Sequence, residues 1–155
     1  MSKNLEYTVA DLPEFGIPDI DLGNIKPLPK KTADQLADEL REKVGDLSSI
    51  KHIYPTKVLC AVYVRETVGA GLILAANETQ REDVYQGKAF LIMALGSAAY
   101  VNQGDVDFFG YAPKVGDWVA ARPADGEHLK INGEDFRLFD DRDIRMVIDH
   151  PDCVY

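Results

Sequence analysis

Cysteine is scarce: the 155 residues carry two, Cys60 and Cys153, far apart and without CxxC or Cys/His spacing. That excludes a small disulfide-stapled scaffold and a cysteine-built zinc site, and makes a reducing compartment the default. Histidine is also rare. His52, His128 and His150 each stand alone in sequence, with no HxH or HExxH pair to ligate zinc. Positive charge is in deficit, since 17 Lys and Arg against 26 Asp and Glu leave a net charge of −9. Affinity for nucleic acid rests on basic side chains, so a nucleic-acid partner is not expected. No apolar run reaches the length of a membrane span, and Met1–Ala10 does not have the form of a signal peptide. GxSxG, GxGxxG and P-loop patterns are missing, and Gly69-Ala70-Gly71 reads as the glycines of a hairpin. The stretch Asp19–Asn24 lacks the downstream Glu of a calcium loop. Paired acids at Asp105/Asp107 and Glu134/Asp135 fall at turns, where solvated carboxylates are expected rather than an acid–base couple. The expectation is a protein that is not an enzyme and carries no cofactor and no metal.

What is present divides into three parts. Residues 1–31 hold four of the eight prolines, Pro13, Pro18, Pro27 and Pro29, which forbid any long regular element. They also hold ten large apolar side chains, more than a solvated linker would carry. Such a segment reads as an extended arm lying on a surface, with Leu12, Phe15, Ile17, Ile20 and Leu22 as the expected partner contacts. Residues 32–54 form a helix and connector. Thr32-Ala33-Asp34-Gln35 has the form of a capping box, Leu36, Leu40 and Val44 make a narrow apolar stripe, and Gly45 suits the stop. Residues 55–155 are strand-like, with Lys57–Arg65, Gly71–Ala75 and Gly87–Leu95 as apolar strands and Asn77–Tyr85 as a polar stretch between them. Further on, Asp117–Arg122 alternates, Pro123 and Asp125-Gly126 break it, and His128–Ile131 resumes. Asn132-Gly133 is a strong signal for a two-residue type I′ hairpin, and Ile144–Ile148 is a last short strand. Trp118, on one face with Ala120, is expected in the core, and His128 outside it. An apolar content of 46% can fill one modest core. The fold class expected is mainly all-β: a small Greek-key-type barrel over residues 55–148, with an extended N-terminal arm and one short helix.

The order of several short pieces carries a family resemblance. These are Pro55-Thr-Lys-Val-Leu, Gly69-Ala-Gly-Leu-Ile-Leu, Gln86-Gly-Lys-Ala with Ala94-Leu-Gly96, Lys114-Val-Gly-Asp-Trp-Val119, and Leu129-Lys-Ile-Asn-Gly-Glu through Asp143-Ile144. Over about ninety residues the chain resembles the chaperonin-10 (GroES-like) co-chaperonin family, including members encoded by bacteriophages. The resemblance implies a β-barrel whose subunits form a homo-oligomeric ring through exchanged terminal strands. It also implies a mobile loop whose apolar tripeptide docks on a chaperonin, at Leu72, Ile73 and Leu74 here; the alternative for those residues is a core strand. The N-terminal extension and the tail after His150 depart from the short family members. Two functions follow as expectations. One is a structural protein, a virion capsid or decoration component anchored to other virion proteins by its arm. The other is a co-chaperonin lid that caps a chaperonin ring. The location expected is a virion or the host cytoplasm.

Overall fold

The computed structural model describes residues 31–65, 67–68, 73–74 and 77–154, with side chains described outside 66–80. Helix α1, Ala33–Val44, opens with the reciprocal cap written in its sequence. Thr32 Oγ1 accepts from the Gln35 N–H at 3.2 Å, and Gln35 Oε1 accepts from the Thr32 N–H at 2.9 Å. Its apolar stripe lies on the protein's own sheet: Ala37 and Leu40 pack with Tyr63, Leu91 and Trp118, and Val44 with Leu59 and Phe136.

The body is mainly β. Strands β1 (Lys57–Val62), β4 (Ala89–Leu95), β5 (Trp118–Ala121), β6 (Glu127–Ile131), β7 (Glu134–Asp140) and β8 (Ile144–Ile148) form one antiparallel sheet in the order β6-β7-β1-β4-β5-β8. Two smaller strands, β2 (Thr67–Val68) and β3 (Ile73–Leu74), pair with each other as a separate two-stranded sheet among the described residues.

Chain connectivity forces the sheet to roll. In a flat sheet β7 and β8 would stand four strand spacings apart, about 19 Å. Yet only Asp141–Asp143 joins them, and four Cα steps reach about 14 Å at most. The connection from β5 to the far edge strand β6 is longer, but the compact turn Pro123–Asp125 within it, closed by the Gly126 N–H on the Pro123 carbonyl, shortens its reach below that span. Arg145 of β8 meets Asp125 at 3.4 Å, bringing that edge to the turn before β6. Ladder irregularities at Leu59/Cys60 and Ala120/Ala121 coil two of the strands further.

Rolling gives the sheet two buried faces. Val58, Cys60, Phe90, Ile92, Val119 and Phe139 fill the inside, where the Phe90 and Phe139 rings meet edge-on at 5.0 Å. Leu59, Ala61, Leu91, Trp118 and Phe136 face out and are covered by α1. Burial on both sides explains why β1 reads as an unbroken apolar run rather than an alternation. Trp118 is 4% exposed, and its Nε1–H donates to the Ala33 carbonyl at 3.1 Å, tying β5 to the first turn of α1.

The hairpin tip is also a tie. Asn132 and Gly133 both sit at positive φ, 54° and 80°, as a type I′ turn requires. Asn132 Nδ2 donates to the carbonyls of Val44 and Asp46 at 2.9 and 2.8 Å, which satisfies the C-terminal end of α1.

One expectation needs correction. The polar stretch after Ala76 is a second helix, α2, Asn77–Gln86, so the chain holds more than one short helix. It lacks an apolar stripe and is held by an ion pair instead. Asp83, 2% exposed, accepts from Arg65 Nε and Nη2 at 2.9 and 2.8 Å and from the Arg65 backbone N–H. Gly87 ends the helix; a Cβ there would meet the Asp83 carbonyl oxygen at 2.5 Å.

Candidate docking site

Among the sequence-derived partner contacts, Leu12, Phe15, Ile17, Ile20 and Leu22 lie outside the described residues, as does Leu72. Ile73 and Leu74 form β3, whose ladder runs to Val68 and Thr67. The described backbone places Ile73 and Leu74 in this two-stranded ribbon, while Leu72 lies outside the described residues. The six-stranded ladder is built from other strands, β6-β7-β1-β4-β5-β8. Strand β1 ends at Val62, short of the expected Arg65.

The most distinctive surface comes from the loop between β4 and β5, where the sequence has no period. Tyr100 starts it, packed against the inner core, with its N–H donating to the buried Asp141 carboxylate at 3.1 Å. Burial, first of all, pushes the Tyr100 phenol well above its ordinary range, with Cys60 and Asp141 adding to the effect. Its ring meets Phe108 edge-on at 5.1 Å. Side-chain oxygens then bend the backbone in place of a ladder: Asn102 Oδ1 accepts from the Phe108 N–H, and Asp107 Oδ1 from the Phe109 N–H, at 2.9 and 2.8 Å. Gln103 and Val106 form an isolated antiparallel bridge. The Tyr111 N–H returns to the Phe108 carbonyl at 2.9 Å.

This scaffold presents Phe109 and Tyr111, 80% and 79% exposed. Phe109 also sits at φ 54°, a region that bulky side chains rarely occupy and that persists only where surrounding contacts impose it. Two large aromatic faces in water on a loop ordered by its own hydrogen bonds have the makings of a protein-docking knob. Little conformational freedom is left to lose on binding. The sequence held the aromatics, but the capping pattern Asn102/Asp107 was the signal that could have located the knob.

The remaining titratable groups act as ties between elements. His128 does not stand alone in space: its Nε2 lies 2.8 Å from Asp135 Oδ1, and Tyr85 of α2 covers the ring at a centroid distance of 5.6 Å. Asp135 also meets Lys130 at 3.6 Å, so the expectation of a merely solvated carboxylate there is corrected. It pairs across the β6–β7 ladder, where the two-residue turn at Asn132-Gly133 sets Lys130 opposite Asp135. Nearby on β7, Arg137 is buried and donates to the Gly126 carbonyl at 3.3 Å. His150 Nε2 donates to the Lys31 carbonyl at 2.8 Å, and the Asp152 N–H donates to its Nδ1 at 3.1 Å. Each of these groups ties one element to another. Asp105 and Asp107 flank the aromatic knob, and Asp107 serves there as a backbone cap. Among the described residues, no three His, Cys, Asp or Glu side chains are grouped to hold a metal ion. No described helix is long and apolar enough to cross a membrane.

Against known proteins, no family model matches the chain, and no curated protein matches it. The functional reading therefore rests on the geometry.

Proposed function

We propose that this is a non-enzymatic assembly protein: a GroES-like barrel that works by docking to other proteins, as a capsid or decoration component of a virion. The observation that carries the reading is the pair Phe109 and Tyr111, held out in water by a hydrogen-bonded loop. Exposed aromatics on a rigid support are the usual anchors of protein interfaces, where a few such residues supply most of the affinity. The arm, through Leu12, Phe15, Ile17, Ile20 and Leu22, is the second attachment, and a homo-oligomeric ring is the form in which the barrel would act. Its partners are proteins, and the place is the virion.

A second reading, the co-chaperonin lid with Leu72, Ile73 and Leu74 as its docking tripeptide, is favoured by one feature: the β2–β3 ribbon is a sheet separate from the six-stranded ladder. One experiment separates the two. Particles are assembled with the full chain, with a chain lacking residues 1–31, and with the Phe109→Ala/Tyr111→Ala double variant. Occupancy of the truncated chain is expected to be lost. That of the double variant is expected to fall by about thirty-fold, as for a loss of about 2 kcal/mol at an interface anchor. Undiminished occupancy in both would refute the structural role. ATP-dependent co-sedimentation with a chaperonin, abolished by Ile73→Ser, would establish the lid in its place.

A further inference from the structure

Beside α1 the surface holds a groove of about 170 Å³, bounded by the helix, the end of β1 and the start of β7. Leu36, Leu40 and Val64 give it an apolar wall, and Glu39, Glu134 and Asp135 an acidic rim, with Lys43 as its one basic member among the lining residues. A cavity of about 150 Å³ holds one benzene-sized group, so the groove suits a single large apolar side chain.

The chain enters the described structure beside this groove. Lys31 is held from two sides: its carbonyl accepts from His150 Nε2 at 2.8 Å, and its Nζ meets Glu39 Oε1, on the groove rim, at 2.9 Å. The six residues leading to that point read Lys26-Pro27-Leu28-Pro29-Lys30-Lys31. In the sequence Pro27 and Pro29 flank Leu28; a proline fixes its own φ and disfavours the helical region for the residue before it, so such a segment has little conformational freedom to lose on seating. Leu28 stands three residues from Lys31, a reach of about 10 Å. Three lysines flank it in a chain of net charge −9, opposite a rim that is mostly acidic, and the first of these pairings, Lys31 with Glu39, is already made. A tether this short gives a millimolar-scale effective concentration, which favours the chain's own segment over a second copy's.

We propose that this groove is the seat of Leu28, with Lys26–Lys31 of the same chain lying across it, so that the N-terminal arm leaves the barrel from a fixed point beside α1. Size, charge and tether length select the occupant. The arrangement stands whether or not the protein enters a particle, and its test uses the isolated chain.

Leu28→Cys is combined with Leu40→Cys in the full-length Cys153→Ser background and treated with a short bis-maleimide. A linked monomer is expected, and a control pairing Leu28→Cys with Phe109→Cys, on the β4–β5 loop and not among the groove's lining residues, is expected not to link. A linked dimer would overturn the proposal by giving the groove to a second copy's arm, and absence of any link would overturn it outright. Independently, Leu28→Asp is expected to speed amide hydrogen exchange across Leu36–Lys43 at least tenfold with the circular dichroism unchanged. Exchange equal to that of the parent chain would sink the idea even if the cysteine variants fold poorly.

Discussion

Asn132 does two separable jobs, and substitutions can take them apart. As the first residue of the type I′ turn it must hold φ 54°, and as a donor it satisfies the Val44 and Asp46 carbonyls at the end of α1. Asn132→Gly keeps the turn and removes both hydrogen bonds. At about 0.5–1.5 kcal/mol for each neutral bond, the loss is about 1–3 kcal/mol. Asn132→Ala adds the left-handed penalty of a Cβ, a further ~1–2 kcal/mol. Asn132→Asp keeps a residue that tolerates the turn, but it sets a carboxylate against the negative end of the helix, so it should fall below the glycine variant. For a chain of this length each kcal/mol moves the melting temperature by about 2–4 °C. The glycine variant should therefore melt about 2–12 °C lower, with alanine and aspartate lower still. Thermal melts and urea titrations with a common m-value decide it. A glycine variant within about 0.5 kcal/mol of the parent would mean that the bonds to α1 contribute nothing, and that apolar packing around Val44 and Phe136 holds the hairpin to the helix.

Two further outcomes follow from the core. Trp118→Ala should cost about 3–5 kcal/mol, as large aromatic truncations in cores do, because the ring is buried against Tyr63 and α1; a change within about 0.5 kcal/mol in chemical denaturation would contradict its place between helix and sheet. Burial pushes the Cys60 thiol far up, whereas Cys153 is exposed, so a disulfide reagent at pH 8 should titrate one thiol in the native protein and a second only on unfolding. Two fast thiols in the native state would show that β1 opens readily.

Much of this fold was legible residue by residue. Thr32 and Gln35 announced the start of α1, and Asn132-Gly133 announced the β6–β7 tip, because caps and tight turns follow from hydrogen bonds and sterics within four residues. Strand β8 could be placed at Ile144–Ile148 because a polar corner precedes it. Helix α2 was not legible. It has no apolar stripe, and what anchors it is the Asp83 carboxylate on Arg65, 18 residues away. The Phe109/Tyr111 knob escaped for a related reason. Its turns are made by single side-chain oxygens, and its base is pinned by Asp141, which lies 41 residues beyond Tyr100.

By itself, then, the sequence determined the local alphabet of this protein: where one helix starts and stops, where strands turn, and that its mainly β body must bury an apolar run. Only the tertiary structure decided how those pieces meet. The ladder order, the roll that short connections impose on it, the Arg65–Asp83 pair, the knob and the groove beside α1 all depend on which distant residues become neighbours. The reason is physical: dihedral preferences and caps act over a few bonds, whereas packing and charge pairing act through space. A contact such as Asn132 with Val44, 88 positions apart, exists only once the chain has folded.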